Sequence, residues 1–338
     1  MSERILITGA SGFIGYHLIK AAQKAGLEVH AAVRSTSKLS QLDSLAPTYI
    51  YPDFRSKESL LKGLEEGQYS YIIHAAGATK AKSDAEYNLI NADYTKNLAL
   101  AASEADIPLK KFVFLSSLAA QGPSAYQDEE LFSESRQPNP VTAYGKSKLM
   151  AEQYLKEIDL PLAVLRPTAV YGPGEKDLFI VFKMLQDGLD AYIGRNPQRF
   201  SFVYVQDIVD VAILALKSEN KKEHTYNISD GKVYHRYELA DIFKSLLGKK
   251  TFRFHIPESI VKVVANLMEL AYSNSEKSPV LNKEKLNELT APNWACSIEA
   301  AKRDLNYWPV YDLKAGLKES LPWYTENKWP ESTLNNNL

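Results

Sequence analysis

Tyr144 and Lys148 stand four positions apart in Tyr144-Gly145-Lys146-Ser147-Lys148, and in a helix that spacing brings both side chains to one face. A tyrosine phenol ordinarily ionises near pH ~10, too high for ready proton exchange at neutrality. A neighbouring ammonium favours the phenolate and lowers that value. The pair therefore suits proton transfer at a hydroxyl or carbonyl oxygen. Upstream, Phe112-Val113-Phe114-Leu115 runs into Ser116-Ser117. A hydroxyl at the end of such a strand can hold the same oxygen beside Tyr144 and stabilise charge during hydride transfer. Ser117 is the expected group and Ser116 the alternative. The Tyr–Lys spacing alone is common by chance; its weight comes from this strand and from the glycine-rich segment that opens the chain.

That segment is Thr8-Gly9-Ala10-Ser11-Gly12-Phe13-Ile14-Gly15, directly after Ile5-Leu6-Ile7. Gly9 can make a tight turn, Gly12 lets backbone approach a pyrophosphate, and Gly15 allows close helix–strand packing. The free N–H groups of the following helix then face the anion, so Gly9, Ser11, Gly12, Phe13, Ile14 and Gly15 are the expected diphosphate cradle of a dinucleotide. The second strand ends Ala32-Val33-Arg34-Ser35-Thr36-Ser37-Lys38 without an acid. An acid there suits the ribose of NAD, and an arginine suits the 2′-phosphate of NADP. Arg34, Ser35 and Lys38 thus favour NADP, with NAD possible. Asp53, with Phe54 beside it, is placed to meet the adenine. His74-Ala75-Ala76-Gly77 closes the fourth strand with small residues, so Ala75, Ala76 and Gly77 leave room for the cofactor, while His74 reads as a packed strand histidine. No His/Cys/Asp cluster has metal-ligand spacing, and no metal is expected.

The elements that must position these groups alternate β-rich and amphipathic runs. Strands are expected at Ile5–Ile7, Glu28–Val33, Tyr49–Tyr51, Tyr71–His74, Lys111–Leu115 and Leu162–Arg166. Helices are expected near Phe13–Ala25, Lys57–Leu64, Glu86–Ala105 and Thr142–Glu157. This is the pattern of an α/β Rossmann fold, a doubly wound parallel sheet whose ligands bind beyond the strands' carboxyl ends. Phe202–Val205, Gln206–Leu216 and Tyr226–Ile228 read as a late return to that sheet. The expected division is a cofactor-binding domain over 1–172 with a return segment 203–228, a substrate-binding lobe from 173–202 and 229–330, and a flexible tail 331–338.

The 338 residues carry 40 basic and 41 acidic side chains, with no basic stripe of the kind nucleic acid requires. The one cysteine, Cys296, cannot form an internal disulfide and reads as a small packed side chain in a reducing compartment. No apolar leader precedes the first strand, and Ile260–Tyr272 is too short to span a bilayer; the cytoplasm is the expected location. That stretch reads as a core helix, or as an apolar wall or membrane-surface face.

Taken together, TGASGFIG, HAAG, FLSS, YGKSK and LRPTAVYGPG resemble the extended short-chain dehydrogenase/reductases, also called the NAD-dependent epimerase/dehydratase family. The resemblance extends over the chain, through Phe202–Ile208 and Trp294–Ile298. It implies that Tyr144 is the acid/base, that Lys148 anchors the nicotinamide ribose and that Ser117 orients the substrate. It assigns Asn91 to the helix after the fourth strand, and it places Pro167 and Val170, within Arg166–Pro173, along the nicotinamide. It also implies a homodimer built through the helices near Glu86–Ala105 and Thr142–Glu157. Leu118-Ala119-Ala120 after Ser117 lack the acid that sugar dehydratases of the family carry, and Gln121 stands where epimerases often have an aromatic. The leading expectation is hydride transfer between NADP(H) and a secondary alcohol or carbonyl on a small-molecule substrate; the resemblance includes branches that act on bulky apolar ones. The alternative is a nucleotide-sugar epimerase, with Arg195, Arg199 and Arg236 as candidates for a diphosphate; a non-catalytic cofactor-binding protein comes third.

Overall fold

A computed structural model describes residues 3–128, 130–219, 224–272 and 281–326; the expected tail 331–338 lies outside them. Successive residues of a strand face opposite sides of a sheet, so a strand covered on both sides must be apolar throughout. The first strand, β1 (Arg4–Thr8), does this: Ile5 and Ile7 enter one hydrophobic cluster and Leu6 the other. It lies inside a sheet of seven parallel strands, next to the central one. With β2 (Glu28–Ala32), β3 (Thr48–Ile50), β4 (Tyr71–His74), β5 (Lys111–Leu115) and β6 (Leu162–Pro167), the order is His224–Ile228, β6, β5, β4, β1, β2, β3. Chain direction across the sheet therefore reverses between β1 and β4, and the crevice beyond their carboxyl ends is where such folds bind ligands.

One face is covered by α1 (Phe13–Lys24) and by the helix Val205–Lys217, the other by α2 (Lys57–Gly67), α4 (Tyr94–Glu104) and α6 (Ala143–Lys156). Between β4 and α4, a short α3 (Asp84–Asn88) runs into a π-helical turn, Leu89–Asp93. The expected continuous helix over 86–105 is thus locally unwound, a device frequent at functional sites. A one-turn α5 (Leu118–Gln121) follows β5 and is invisible to periodicity because it is too short.

The expected return to the sheet is half corrected. His224–Ile228 joins it beside β6. Phe202–Tyr204 does not; it pairs in parallel with Ala169–Tyr171 in a separate two-stranded sheet. Gly172, with φ +147°, turns the chain away after that strand. Beyond the main sheet, Leu189–Ile193 pairs with Phe252–Ile256, and Arg199–Phe200 bridges Tyr234–His235 and Asn293–Trp294. The cluster around Ile5 and Leu18 continues into Phe182, Phe243, Leu313 and Tyr324, so the late elements pack on the α1 face as one core.

The start of α1 is where packing is tightest. Gly9 has φ +67°, and a Cβ there would lie 2.6 Å from Ala75 O. A Cβ on Gly15 would overlap Gly9 O and sit 2.8 Å from the Cα of Ala10. Gly15→Ala should therefore push α1 off the loop and destabilise the fold by about 1–3 kcal/mol, measured by chemical denaturation, with a parallel loss of dinucleotide binding in a fluorescence titration.

Candidate active site

The crevice between β1 and β4 is lined by the glycine loop. Gly12 is the N-cap of α1 with no side-chain cap; its own N–H is spent on Gly9 O at 2.9 Å. The first N–H groups of α1 thus open onto an exposed glycine, a cradle that suits a diphosphate. Ser11 faces the end of β2, its hydroxyl 3.4 Å from Ser37, whose Oγ also accepts from Arg34 N at 3.1 Å. Ser37 is a loop organiser that the sequence reading did not single out. Arg34, Ser35 and Lys38 are exposed around it. Asp53 is exposed and its carboxylate accepts from Arg55 N at 3.1 Å. The Phe54 ring is set between His74 and Tyr94 and faces a cavity of about 470 Å³ beneath α2 that none of Ser117, Tyr144 and Lys148 lines.

A chain of buried hydrogen bonds leads from this loop toward α6. Thr8 Oγ1 accepts from Ala76 N at 3.0 Å and meets His74 Nδ1 at 2.7 Å. His74 Nε2 lies 2.9 Å from Thr95 Oγ1, which donates to Asn91 O at 2.7 Å. Because Thr95 spends its proton on that carbonyl, His74 must carry its own proton on Nε2, and Thr8 donates to Nδ1. Burial, then the charge of Lys148, pushes His74 down to about 3. It is the packed histidine expected; its neutrality and its bonding role are what its sequence position did not reveal. Asn91, fully buried in the π-helical turn, accepts from Ala78 N at 2.7 Å and donates to Ser147 Oγ at 2.9 Å. Ser147 donates in turn to Tyr144 O at 2.7 Å.

On α6, Thr142 caps the helix through Gly145 N, and Tyr144 and Lys148 share its inner face. Lys148 is buried; its ammonium donates to Leu115 O at 2.9 Å and lies 4.7 Å from the centre of the Phe114 ring. A Cβ on Gly77 would fall 3.2 Å from Lys148 Nζ and 3.0 Å from Asn91 Oδ1, so Gly77, Asn91 and Lys148 converge. Ser117 caps α5 by accepting from Ala119 N at 3.1 Å, and it is near enough to the Tyr144 phenol to favour its ionised form. Ser116 is otherwise committed, donating to Glu152 Oε1 at 2.5 Å. That carboxylate, one helical turn beyond Lys148, is held by Arg166 at 2.5 and 3.0 Å. Pro167 is buried at the end of β6, and Val170 lies in the strand paired with Phe202–Tyr204.

One electrostatic expectation is corrected. Burial raises the Tyr144 phenol to about 12; the Ser117 hydrogen bond draws it back, and Glu288 and Tyr87 raise it further. The charge of Lys148 is not among the groups that move it. Burial lowers Lys148 itself to about 8, with Glu152 opposing the fall. Two acids that the sequence reading missed, Glu284 and Glu288, come from the helix Lys283–Thr290: Glu284 accepts from Ala143 N at 2.8 Å. The contact of Glu284 with α6 spans more than a hundred residues and leaves no local signal; Glu288 acts on the phenol through its charge. Cys296 is buried and free, its thiol pushed up by burial. Of the three arginines considered for a diphosphate, Arg199 donates to Asp128 O at 2.7 Å and Arg236 to Asn196 O and Ile193 O; Arg195 is exposed.

A parallel sheet with a glycine-rich first turn and a hydroxyl–phenol–ammonium group beyond its central strands defines a nicotinamide-dependent oxidoreductase fold. The family model for the NAD dependent epimerase/dehydratase family matches residues 5–229, and the chain belongs to that family; it is an NAD(P)-dependent enzyme of the extended short-chain dehydrogenase/reductase type. It is 26% identical to a UDP-glucose 4-epimerase of Vibrio cholerae over 95% of this chain and 95% of that one. It is 23% identical to a 3-beta-hydroxysteroid dehydrogenase of Mycolicibacterium neoaurum over 96% and 92%. Among solved structures, a UDP-glucuronic acid 4-epimerase from Bacillus cereus in complex with NAD superposes with a TM-score of 0.75 at 22% identity, over 96% and 99%; that likeness is one of fold. No helix among the described residues is long and apolar enough to cross a membrane.

Neutral His74 links protonation to stability. Its pKa in the fold, about 3, lies below the ordinary value of about 6.5, so the unfolded chain binds the proton more tightly. The contribution is full above that ordinary value and is lost as pH falls toward the folded one. The stability advantage of the wild type over His74→Gln should therefore shrink between pH 7 and pH 4, read from urea midpoints across that range.

Proposed function

We propose that the enzyme transfers hydride reversibly between NADP(H) and a secondary alcohol or carbonyl, with Tyr144 as acid/base, Ser117 orienting the substrate oxygen and Lys148 holding the nicotinamide ribose. The observation that carries this reading is the convergence of the three: Ser117, at the end of β5, acts on the Tyr144 phenol, Tyr144 and Lys148 lie on one helix, and Lys148 points at Gly77 and Asn91 beside the β4 loop. The nicotinamide, when bound, supplies or accepts the hydride. The protein does the rest. A phenol at about 12 is protonated at neutral pH, so Tyr144 is set to donate its proton to an oxygen on which negative charge develops, while Ser117 holds that oxygen. In the oxidative direction the same phenol takes the proton back.

For the cofactor, Gly9, Ser11, Gly12, Phe13, Ile14 and Gly15 would take the diphosphate, Asp53 and Phe54 the adenine side, and Ala75, Ala76, Gly77, Asn91, Pro167 and Val170 the nicotinamide side. NADP is favoured by Arg34, with Ser35 and Lys38: among the described residues the Arg34 guanidinium makes no hydrogen bond or ion pair, leaving its fork for a phosphate. NAD is the cofactor in the Bacillus cereus neighbour. We assign 1–172 and 203–228 to cofactor binding and 173–202 with 229–330 to the substrate, the latter because the helix Lys283–Thr290 joins the N-terminus of α6 through Glu284. A cytoplasmic homodimer through the outer faces of α4 and α6 completes the reading.

A bulky apolar substrate is favoured by the steroid dehydrogenase relative and by Arg199 and Arg236 donating to backbone carbonyls. The epimerase relative supports the second reading, internal hydride recycling on a nucleotide sugar. Net consumption of NADPH with a carbonyl substrate separates the two: stoichiometric oxidation supports a reductase, and sugar inversion without it an epimerase.

Tyr144→Phe should lower kcat by roughly 10²–10⁴-fold while NADPH binding, followed by nicotinamide fluorescence, stays near wild type; unchanged turnover would remove Tyr144 from the reaction. Arg34→Ala should weaken NADP by about tenfold or more and leave NAD nearly unchanged, and equal losses for both would count against a phosphate contact.

A further inference from the structure

The helix Glu258–Tyr272 turns two apolar faces in different directions. Val261 and Ala265 are buried against the protein at 6% and 0% exposure, whereas Ile260, Val263, Val264 and Leu267 are 53%, 57%, 42% and 61% exposed. Positions 260, 263, 264 and 267 fall on one side of a helix, so the exposed residues form a stripe, not a scatter.

We infer that this stripe is a docking face for the surface of a lipid bilayer, through which an apolar substrate reaches Tyr144; the substrate half of the inference rests on the reductase reading above. The composition of the stripe supports lipid. It is wholly aliphatic, without the tryptophan, tyrosine or arginine anchors that concentrate binding energy in protein interfaces. Four half-exposed side chains amount to a few hundred Å² at most, within the size of a single large patch and well short of the roughly 800 Å² a side that a stable dimer buries. An interfacial helix needs less: it lies in the plane of the membrane with its apolar face roughly 5–10 Å into the headgroup boundary.

The position of the helix supports substrate transfer. Lys283 N donates to Glu269 Oε1 at 2.9 Å, tying it to the helix Lys283–Thr290. That second helix caps α6 through Glu284, carries Glu288, whose charge raises the Tyr144 phenol, and exposes Leu289. An apolar body leaving the bilayer at Ile260–Leu267 is thus one helix away from the proposed catalytic phenol. Lys262 lies on the side of the helix away from the stripe, Lys283 pairs with Glu269 on that same side, and each faces a carboxylate, Glu258 at 4.0 Å and Glu269 at 3.8 Å. Insertion of aliphatic side chains, not attraction to anionic headgroups, should therefore dominate.

The test is cosedimentation of the full chain with large unilamellar vesicles of phosphatidylcholine, alone or mixed with phosphatidylglycerol, at low and high salt. Wild type should pellet with both compositions and little salt dependence. Ile260→Glu/Leu267→Glu should pellet about tenfold less, while Val310→Glu, at an exposed apolar residue elsewhere, should pellet like wild type. Circular dichroism and NADPH binding show that each variant is folded. Wild type remaining in the supernatant overturns the inference, as does equal pelleting of the double variant or binding seen only with phosphatidylglycerol at low salt. A wild-type dimer that the double variant dissociates, measured by light scattering, assigns the stripe to a second copy and also overturns it. Pelleting is read without turnover, so an absence of NADPH oxidation with every carbonyl tried would sink the reductase reading and leave the docking result standing.

Discussion

The structure hangs on a run of buried polar groups that must all be paired at once. From Ala76 N through Thr8, His74, Thr95, Asn91 and Ser147 to Tyr144 O, every donor has an acceptor, and the directions of the bonds fix one another. A buried polar group left unpaired costs about 1–3 kcal/mol, so the run tolerates one arrangement. It joins the end of β1, which forms the glycine loop, to α6, which carries the phenol and the ammonium. Two parts of the chain separated by more than a hundred residues are thereby held in register. The π-helical turn at Leu89–Asp93 belongs to the same constraint, because it is this turn that carries Asn91 between the β4 loop and α6.

A second buried assembly supports the other side of the crevice. Glu152 and Arg166 are almost wholly enclosed, and such a pair adds little net stability because desolvation offsets attraction. Its value here is one of placement. The carboxylate engages Ser116, which leaves Ser117 as the hydroxyl facing Tyr144. It also opposes the fall that burial imposes on Lys148, one turn earlier on the same helix. The two adjacent serines are therefore not interchangeable, although in sequence they differ only by one position at the end of a strand.

Burial acts on Tyr144 and Lys148 in the same sense, toward the neutral form of each. The phenol rises and the ammonium falls. A phenol kept protonated is an acid first, which agrees with donation to a carbonyl oxygen as the reductive step. The helix Lys283–Thr290 strengthens this by placing the charge of Glu288 near the phenol and by spending Glu284 on the N-terminus of α6. The late part of the chain thus tunes the chemistry as well as covering it.

The parallel α/β sheet was legible because strands buried on both faces must be apolar throughout, and because Ile5–Ile7 is followed at once by glycines that only a close backbone approach requires. Tyr144 and Lys148 were legible for a similar reason: helical periodicity converts a spacing of four into a shared face. Family resemblance, carried by the same motifs, extended this to Asn91 and Ser117. Composition and spacing could not show that Phe202–Tyr204 leaves the main sheet for Ala169–Tyr171, since pairing is chosen by long-range packing. Nor could they show which serine is free, why His74 is neutral, that burial and not Lys148 sets the phenol, or that Glu284 reaches α6. Local pattern determines which elements form and which faces they present. Only the tertiary structure decides which buried polar groups meet, and in a medium of low dielectric those meetings set the protonation of the site.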